Sequence, residues 1–117
     1  MKLFDAELKV MEVLWKEGDT TARRIAEILD RQYEWKKTTT YTFIKRLIDK
    51  GAVERREPNF ICHPLVTIEE AREYETAELI NKMYNGAADQ LVASLLGGKI
   101  LSADEIMRLK QIVRELG

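Results

Sequence analysis

The chain has 117 residues, 45% hydrophobic and 33% charged, with a formal net charge of -1 at pH 7. That length suits one small domain, or one with an appended element, and the balance excludes a disordered segment; no apolar run approaches the roughly 20 residues that cross a bilayer. The N-terminus lacks a cationic stretch followed by an apolar signal core, so a cytoplasmic protein with no membrane partner is expected.

The first periodic stretch, residues 5–16, places Leu8, Met11, Leu14 and Trp15 at helical spacing, with Val10 and Val13 widening the stripe. Asp5 is the expected cap, and Glu17-Gly18 closes the helix. Such a broad apolar face marks a support of the core. Thr20 or Thr21 caps a second helix of about ten residues, in which Ala22, Ile25, Ala26 and Leu29 face inward and Arg23, Arg24 and Glu27 stay outside. A short connection, 32–36, leads to the third.

Residues 35–51, W-K-K-T-T-T-Y-T-F-I-K-R-L-I-D-K-G, are the most informative stretch. Phe43, Ile44, Leu47 and Ile48 fall on one side of a helix; Thr38, Thr39, Thr42, Lys45 and Arg46 fall on or near the other. Gly51 after Lys50 has the form of a left-handed C-terminal stop. Hydroxyls and cations near a helix N-terminus suit a major-groove reader, because Thr and Lys can bond phosphates or base edges and Arg can pair bidentately with guanine. A solvated polar face is the plain alternative for this stretch taken alone. Charge distribution favours the reader: residues 35–56 hold seven Lys and Arg against two acids, whereas residues 67–117 hold six against nine.

After Gly51 the period changes. Residues 52–56 and 60–63 read as two strands joined by a turn at 57–59, a wing with Arg55 and Arg56 near its tip. Three helices followed by a wing make a winged helix-turn-helix. Cys62, the sole cysteine, allows no internal disulfide. With only His63 beside it, it supplies neither a metal-ligand set nor, since adjacent strand residues point to opposite faces, a catalytic pair. No metal and no cofactor are expected, and no nucleophile, base and orienting group suggest an enzyme.

Thr67-Ile68-Glu69-Glu70 and Ser102-Ala103-Asp104-Glu105 are capping-box signatures, and Asn85-Gly86 and Gly97-Gly98 are breakers. Helices are therefore expected at about 67–84, 87–96 and 102–116. The last two carry Leu91, Val92, Leu95 and Leu96, then Ile106, Leu109, Val113 and Leu116 at nearly coiled-coil spacing. A tail of this size makes a poor core alone, so its stripes require cover, and pairing with a second copy buries more than folding back. The expected architecture is mainly α with a small β-wing: a winged-helix DNA-binding domain at 1–66 and a helical dimerisation region at 67–117.

Together and in order, these features resemble the penicillinase-repressor family, the BlaI/MecI/CopY group of winged-helix repressors. The carriers are D-A-E-L-K-V-M-E-V-L-W-K at 5–16, Trp35, the T-x-x-T-x-x-x-R-L-I-x-K-G run ending at Gly51, M-Y-N-G at 83–86 and L-S-A-D-E-I at 101–106. The resemblance implies a homodimer that represses transcription by binding double-stranded operator DNA with TACA/TGTA inverted half-sites. By matching position it implies DNA contacts from Lys36, Thr38, Thr39, Thr42 and Arg46; the basic helix start and wing add the expectation that Lys36, Lys37, Arg55 and Arg56 hold phosphates.

Departures concern the inducing signal. Beta-lactam-responsive members are cut at an Asn-Phe bond by a sensor-linked protease; the matching pair here is Ser94-Leu95. The cysteine cluster of copper-responsive members is missing, and a proline found near the recognition helix in some members is Lys37 here. A winged-helix module that binds protein rather than DNA is the rival reading, because the fold alone does not decide function.

Overall fold

The computed structural model describes all residues, Met1–Gly117. In chain order the elements are α1 (Asp5–Glu17), β1 (Thr20–Thr21), α2 (Ala22–Tyr33), α3 (Lys37–Lys50), β2 (Val53–Arg56), β3 (Ile61–Pro64), α4 (Ile68–Tyr84), α5 (Ala88–Gly97) and α6 (Ala103–Leu116). The chain divides into two compact units, Met1–Glu75 and Thr76–Gly117, with the division inside α4.

In the first unit, α1, α2 and α3 pack on one another around Val10, Met11 and Leu14 from α1, Ile25 and Leu29 from α2, and Ile44 and Leu47 from α3, all fully buried. These are the inward positions of the three periodic stripes, so hydrophobic burial selects the faces the spacing specifies. The wing closes one side. Its sheet has three strands rather than the expected two, in the order β1-β3-β2, all antiparallel. Thr20 and Thr21, read from sequence only as cap candidates, pair with Cys62 and Ile61. Cys62 therefore sits on the central strand, between Thr20 and Arg55, and is fully buried.

Two local readings are corrected. Phe4, not Asp5, occupies the N-cap position of α1, and the Glu7 carboxylate accepts the Phe4 N–H at 2.8 Å, so the side chain that closes the helix start comes from the third helical position. Phe60 belongs to the turn, with φ 52, rather than to the second strand. Thr21 does cap α2, its hydroxyl accepting the Arg24 N–H at 3.1 Å. Trp15 is half-buried and donates its indole N–H to the Val66 carbonyl at 2.9 Å, tying α1 to the chain beyond the sheet.

The second unit contains the end of α4 together with α5 and α6. Ser102 and Glu105 form the expected reciprocal box, with the Glu105 N–H donated to the Ser102 hydroxyl at 3.1 Å and the Ser102 N–H to the Glu105 carboxylate at 2.9 Å. No residue of α5 or α6 is buried. Val92 and Leu96 from α5, and Ile106, Leu109 and Val113 from α6, line an open apolar groove of about 610 Å³ rimmed by Lys110 and Arg114. Leu91 and Leu95 are half-buried, whereas Leu116 is 83% exposed.

Candidate nucleic-acid interface

α3 is built differently at its two ends. At the C-terminus Gly51 adopts φ 81; its N–H bonds the Ile48 carbonyl at 3.0 Å and the Ala52 N–H bonds the Leu47 carbonyl at 2.9 Å. This pair of bonds is the glycine stop that periodicity suggests, and it satisfies two of the helix's last carbonyls. The N-terminus has no side-chain cap. Lys36 precedes the first turn, Lys37 opens it, and no acid lies within it. Cations at the positive end of a helix dipole are unfavourable unless an anion joins them. Uncapped N–H groups, a positive dipole end and two lysines together form a setting for phosphate.

Along the outer face, Thr38, Thr42, Lys45 and Arg46 are exposed and Thr39 is half-buried. Thr40, between them in sequence, points into the core with its hydroxyl unpartnered. The Thr42 hydroxyl donates to the Thr38 carbonyl at 2.9 Å, which leaves its oxygen lone pairs and its methyl group outward. Lys36, Lys37, Lys45 and Arg46 enter no ion pair. The Arg46 guanidinium lies 5.1 Å from the Phe43 ring and the Lys37 ammonium 5.6 Å from the Tyr41 ring, so aromatic faces steer both cations without neutralising them.

The wing cations differ. Arg55 pairs with Glu57, while Arg56 pairs with Glu54 at 2.8 Å and with Asp19 at 3.4 Å. The hydrogen bonds from these arginines hold the Glu54 and Glu57 carboxyls below the usual carboxylate range, and Glu54 pushes Arg56 further up. All the partners are exposed, so each pair is weak and a phosphate can compete for the guanidinium. Sequence periodicity counted the arginines without showing the acids that hold them. Asp19 also meets His63 Nδ1 at 2.7 Å, binding the loop before β1 to the sheet.

Phe60 couples wing and helix. Its ring meets Tyr41 of α3 edge-on at 5.8 Å, Arg55 lies over it at 3.7 Å, and its carbonyl accepts the Ala22 N–H at 3.0 Å. At the other flank Trp35 lies against Phe43 at 5.5 Å and Tyr33 at 6.2 Å, as expected for a residue packing at the helix start. The sequence also concealed the hold on the far end of α3, where the Lys50 ammonium reaches Glu7 at 2.6 Å and the Lys2 carbonyl at 2.8 Å. Glu7 is 1% exposed. A helical wheel had no reason to pair a charge at position 7 with one at position 50.

Three packed helices, an antiparallel wing and a cationic, uncapped third helix define a winged helix-turn-helix protein. Residues 3–115 match the penicillinase repressor family, and the chain belongs to that family. It is 31% identical over 116 residues to the penicillinase repressor of Bacillus licheniformis, covering 97% of this chain and 91% of the relative. It is 33% identical, also over 116 residues, to the methicillin resistance regulatory protein MecI of Staphylococcus aureus strain N315, covering 97% and 94%. Among solved structures, the monomeric form of Bacillus licheniformis BlaI in complex with the blaP half-operator aligns with TM-score 0.53 and 29% identity, over 60% of this chain and 88% of that one.

Proposed function

We propose that this protein is a sequence-specific transcriptional repressor that binds an inverted-repeat operator in double-stranded DNA as a homodimer. The observation that carries the reading is the outer face of α3: Thr38, Thr42, Lys45 and Arg46 exposed together, unpaired with acids, beyond an uncapped helix start bearing Lys36 and Lys37. The solved half-operator complex of the related BlaI supports the same assignment. Thr38, Thr39, Thr42 and Arg46 meet base edges, whereas Lys36, Lys37, Lys45, Arg55 and Arg56 hold phosphates. Repression needs no chemistry beyond occupying the promoter, so the protein is not an enzyme; acting on a bacterial chromosome, it works in the cytoplasm.

In this reading the winged-helix domain, residues 1–66, carries the DNA contacts, and residues 67–117 supply dimerisation through the α5–α6 groove with Leu91, Leu95 and Leu116 around it. Two-fold pairing matches a palindromic operator. Induction by a sensor-linked protease at Ser94-Leu95 requires α5 to open, because both residues lie within that helix and a protease binds its substrate extended.

The test is a gel-shift titration on a TACA/TGTA inverted repeat beside a scrambled duplex of equal length, at several salt concentrations, with mass measured by light scattering. Dimeric, sequence-selective binding whose log K falls against log salt with slope about -0.9 per phosphate contact is expected. Absence of binding to either duplex at low salt would replace this reading with the protein-interaction module.

A further inference from the structure

Glu7 is one of two buried polar residues, and closing the start of α1 does not by itself require its carboxylate to meet a cation from another helix. Its oxygen accepts the Phe4 N–H at 2.8 Å and the Lys50 ammonium at 2.6 Å. That ammonium also donates to the Lys2 carbonyl at 2.8 Å and lies 4.6 Å from the Phe4 ring. Every group around it comes from residues 2–7, so the last turn of α3 is gripped by the start of α1 and the segment before it.

We infer that Glu7 and Lys50 are positioning residues that set the register of α3 against the body of the domain, and through it operator discrimination; the inference rests on the proposed DNA-binding function. The pair is half-buried, with the Glu7 side chain 2% and the Lys50 side chain 28% exposed, so desolvation of the carboxylate offsets part of the attraction and the pair is a modest device for stability. It differs from an apolar pair in being directional. Apolar contacts such as those of Leu47 and Ile44 weaken gradually with a small shift, whereas an ammonium held by a carboxylate and a carbonyl loses both directed bonds. The placement fits this role. The clamp and the Gly51 stop fix the C-terminal end of α3 by directed bonds, while the N-terminal half bearing Thr38 and Thr42 starts without a side-chain cap and is held by aromatic and core packing. An error in axial register at the anchored end displaces every side chain of the reading face in the same direction.

The decisive variant is the full-length double substitution Glu7→Gln, Lys50→Met, which removes both charges, nearly conserves volume and keeps an acceptor for the Phe4 N–H. Lys50→Met alone leaves a carboxylate buried and unpaired, and is the control for simple destabilisation. Circular dichroism and thermal melting report the fold, hydrogen exchange followed by mass spectrometry reports α3, and titrations against the inverted repeat and the scrambled duplex report discrimination.

The double variant is expected to keep the wild-type spectrum and melting midpoint, to exchange faster in the last turn of α3 alone, and to bind scrambled DNA as the wild type does while its preference for the inverted repeat falls on the order of tenfold. A folded double variant with wild-type exchange in α3 and full discrimination overturns the inference, as does a double variant that melts as early as the single one. If the wild type itself shows no preference for the inverted repeat, the DNA-binding reading fails, and exchange in α3 still decides whether the clamp holds the helix.

Discussion

Arg46 has no carboxylate to hold it, and its guanidinium lies 5.1 Å from the Phe43 ring at the edge of the exposed face of α3. Truncating Arg46 to alanine is expected to weaken operator binding by about 1–3 kcal/mol if it pairs bidentately with guanine, and to relax preference at that base. Equal loss on operator and random duplexes in parallel titrations would reduce it to a phosphate contact. Cys62 belongs to the same scale but the opposite environment. Burial pushes its thiol up to about 11 from an ordinary 9.0, with Arg55 opposing. The raised value means that the unfolded chain deprotonates first, so the stability this thiol contributes is whole below about pH 9 and declines as pH rises toward 11. Urea unfolding at pH 8 and pH 10.5 should show a steeper decline for the wild type than for Cys62→Ala. Iodoacetamide should leave the folded protein unlabelled at neutral pH.

At the scale of the element, α3 is a helix finished at one end and left open at the other. Gly51 occupies φ 81 with nothing near the position a Cβ would take, so Gly51→Ala meets backbone strain rather than collision. The expected cost is about 1 kcal/mol in chemical denaturation. An unchanged midpoint would mean that the stop tolerates a side chain. The open end follows from residue types: lysines at the N-cap and first helical position, and no acid before the second turn. In the proposed DNA-binding reading its intrinsic instability becomes useful, because a backbone phosphate would satisfy the dipole, the free N–H groups and the lysines at once. The wing works the other way. Arg55 and Arg56 begin engaged with Glu57, Glu54 and Asp19, so a phosphate must exchange for exposed carboxylates, and the net gain per contact is smaller than on α3.

For the whole molecule the outstanding fact is the α5–α6 surface. Val92, Leu96 and Val113, which line its groove, are all at least half exposed, and no residue of α6 is fully buried. Exposed apolar area of this kind is characteristic of interaction sites, and the proposed homodimer would cover it with the same surface of a second copy. Replacing Leu109 with aspartate places an unpaired charge in the groove. Light scattering should then report a monomer, and gel shift should report a much weaker complex with the inverted repeat, since each half-site is bound without the other's help. A variant that remains a tight dimer would locate the seam elsewhere.

The order of the helices, the glycine stop of α3, the Ser102 box and the division of each helix into an inward and an outward face were determined by the sequence itself. All of these are local: they depend on a 3.6-residue period, on one residue's tolerance for positive φ, or on a side chain reaching its own helix's first turn. That Thr38, Thr42, Lys45 and Arg46 share the exposed outer face of α3 was legible for the same reason. Only the tertiary structure decided that Thr20 and Thr21 form a third strand, that Phe60 links the wing to Tyr41, that the wing arginines are held by acids, and that Glu7 grips Lys50. Each joins residues that no period relates, brought together by packing three helices around one core. Two isolated charges 43 positions apart carry no mark of each other until burial leaves one carboxylate and one ammonium with no better partner.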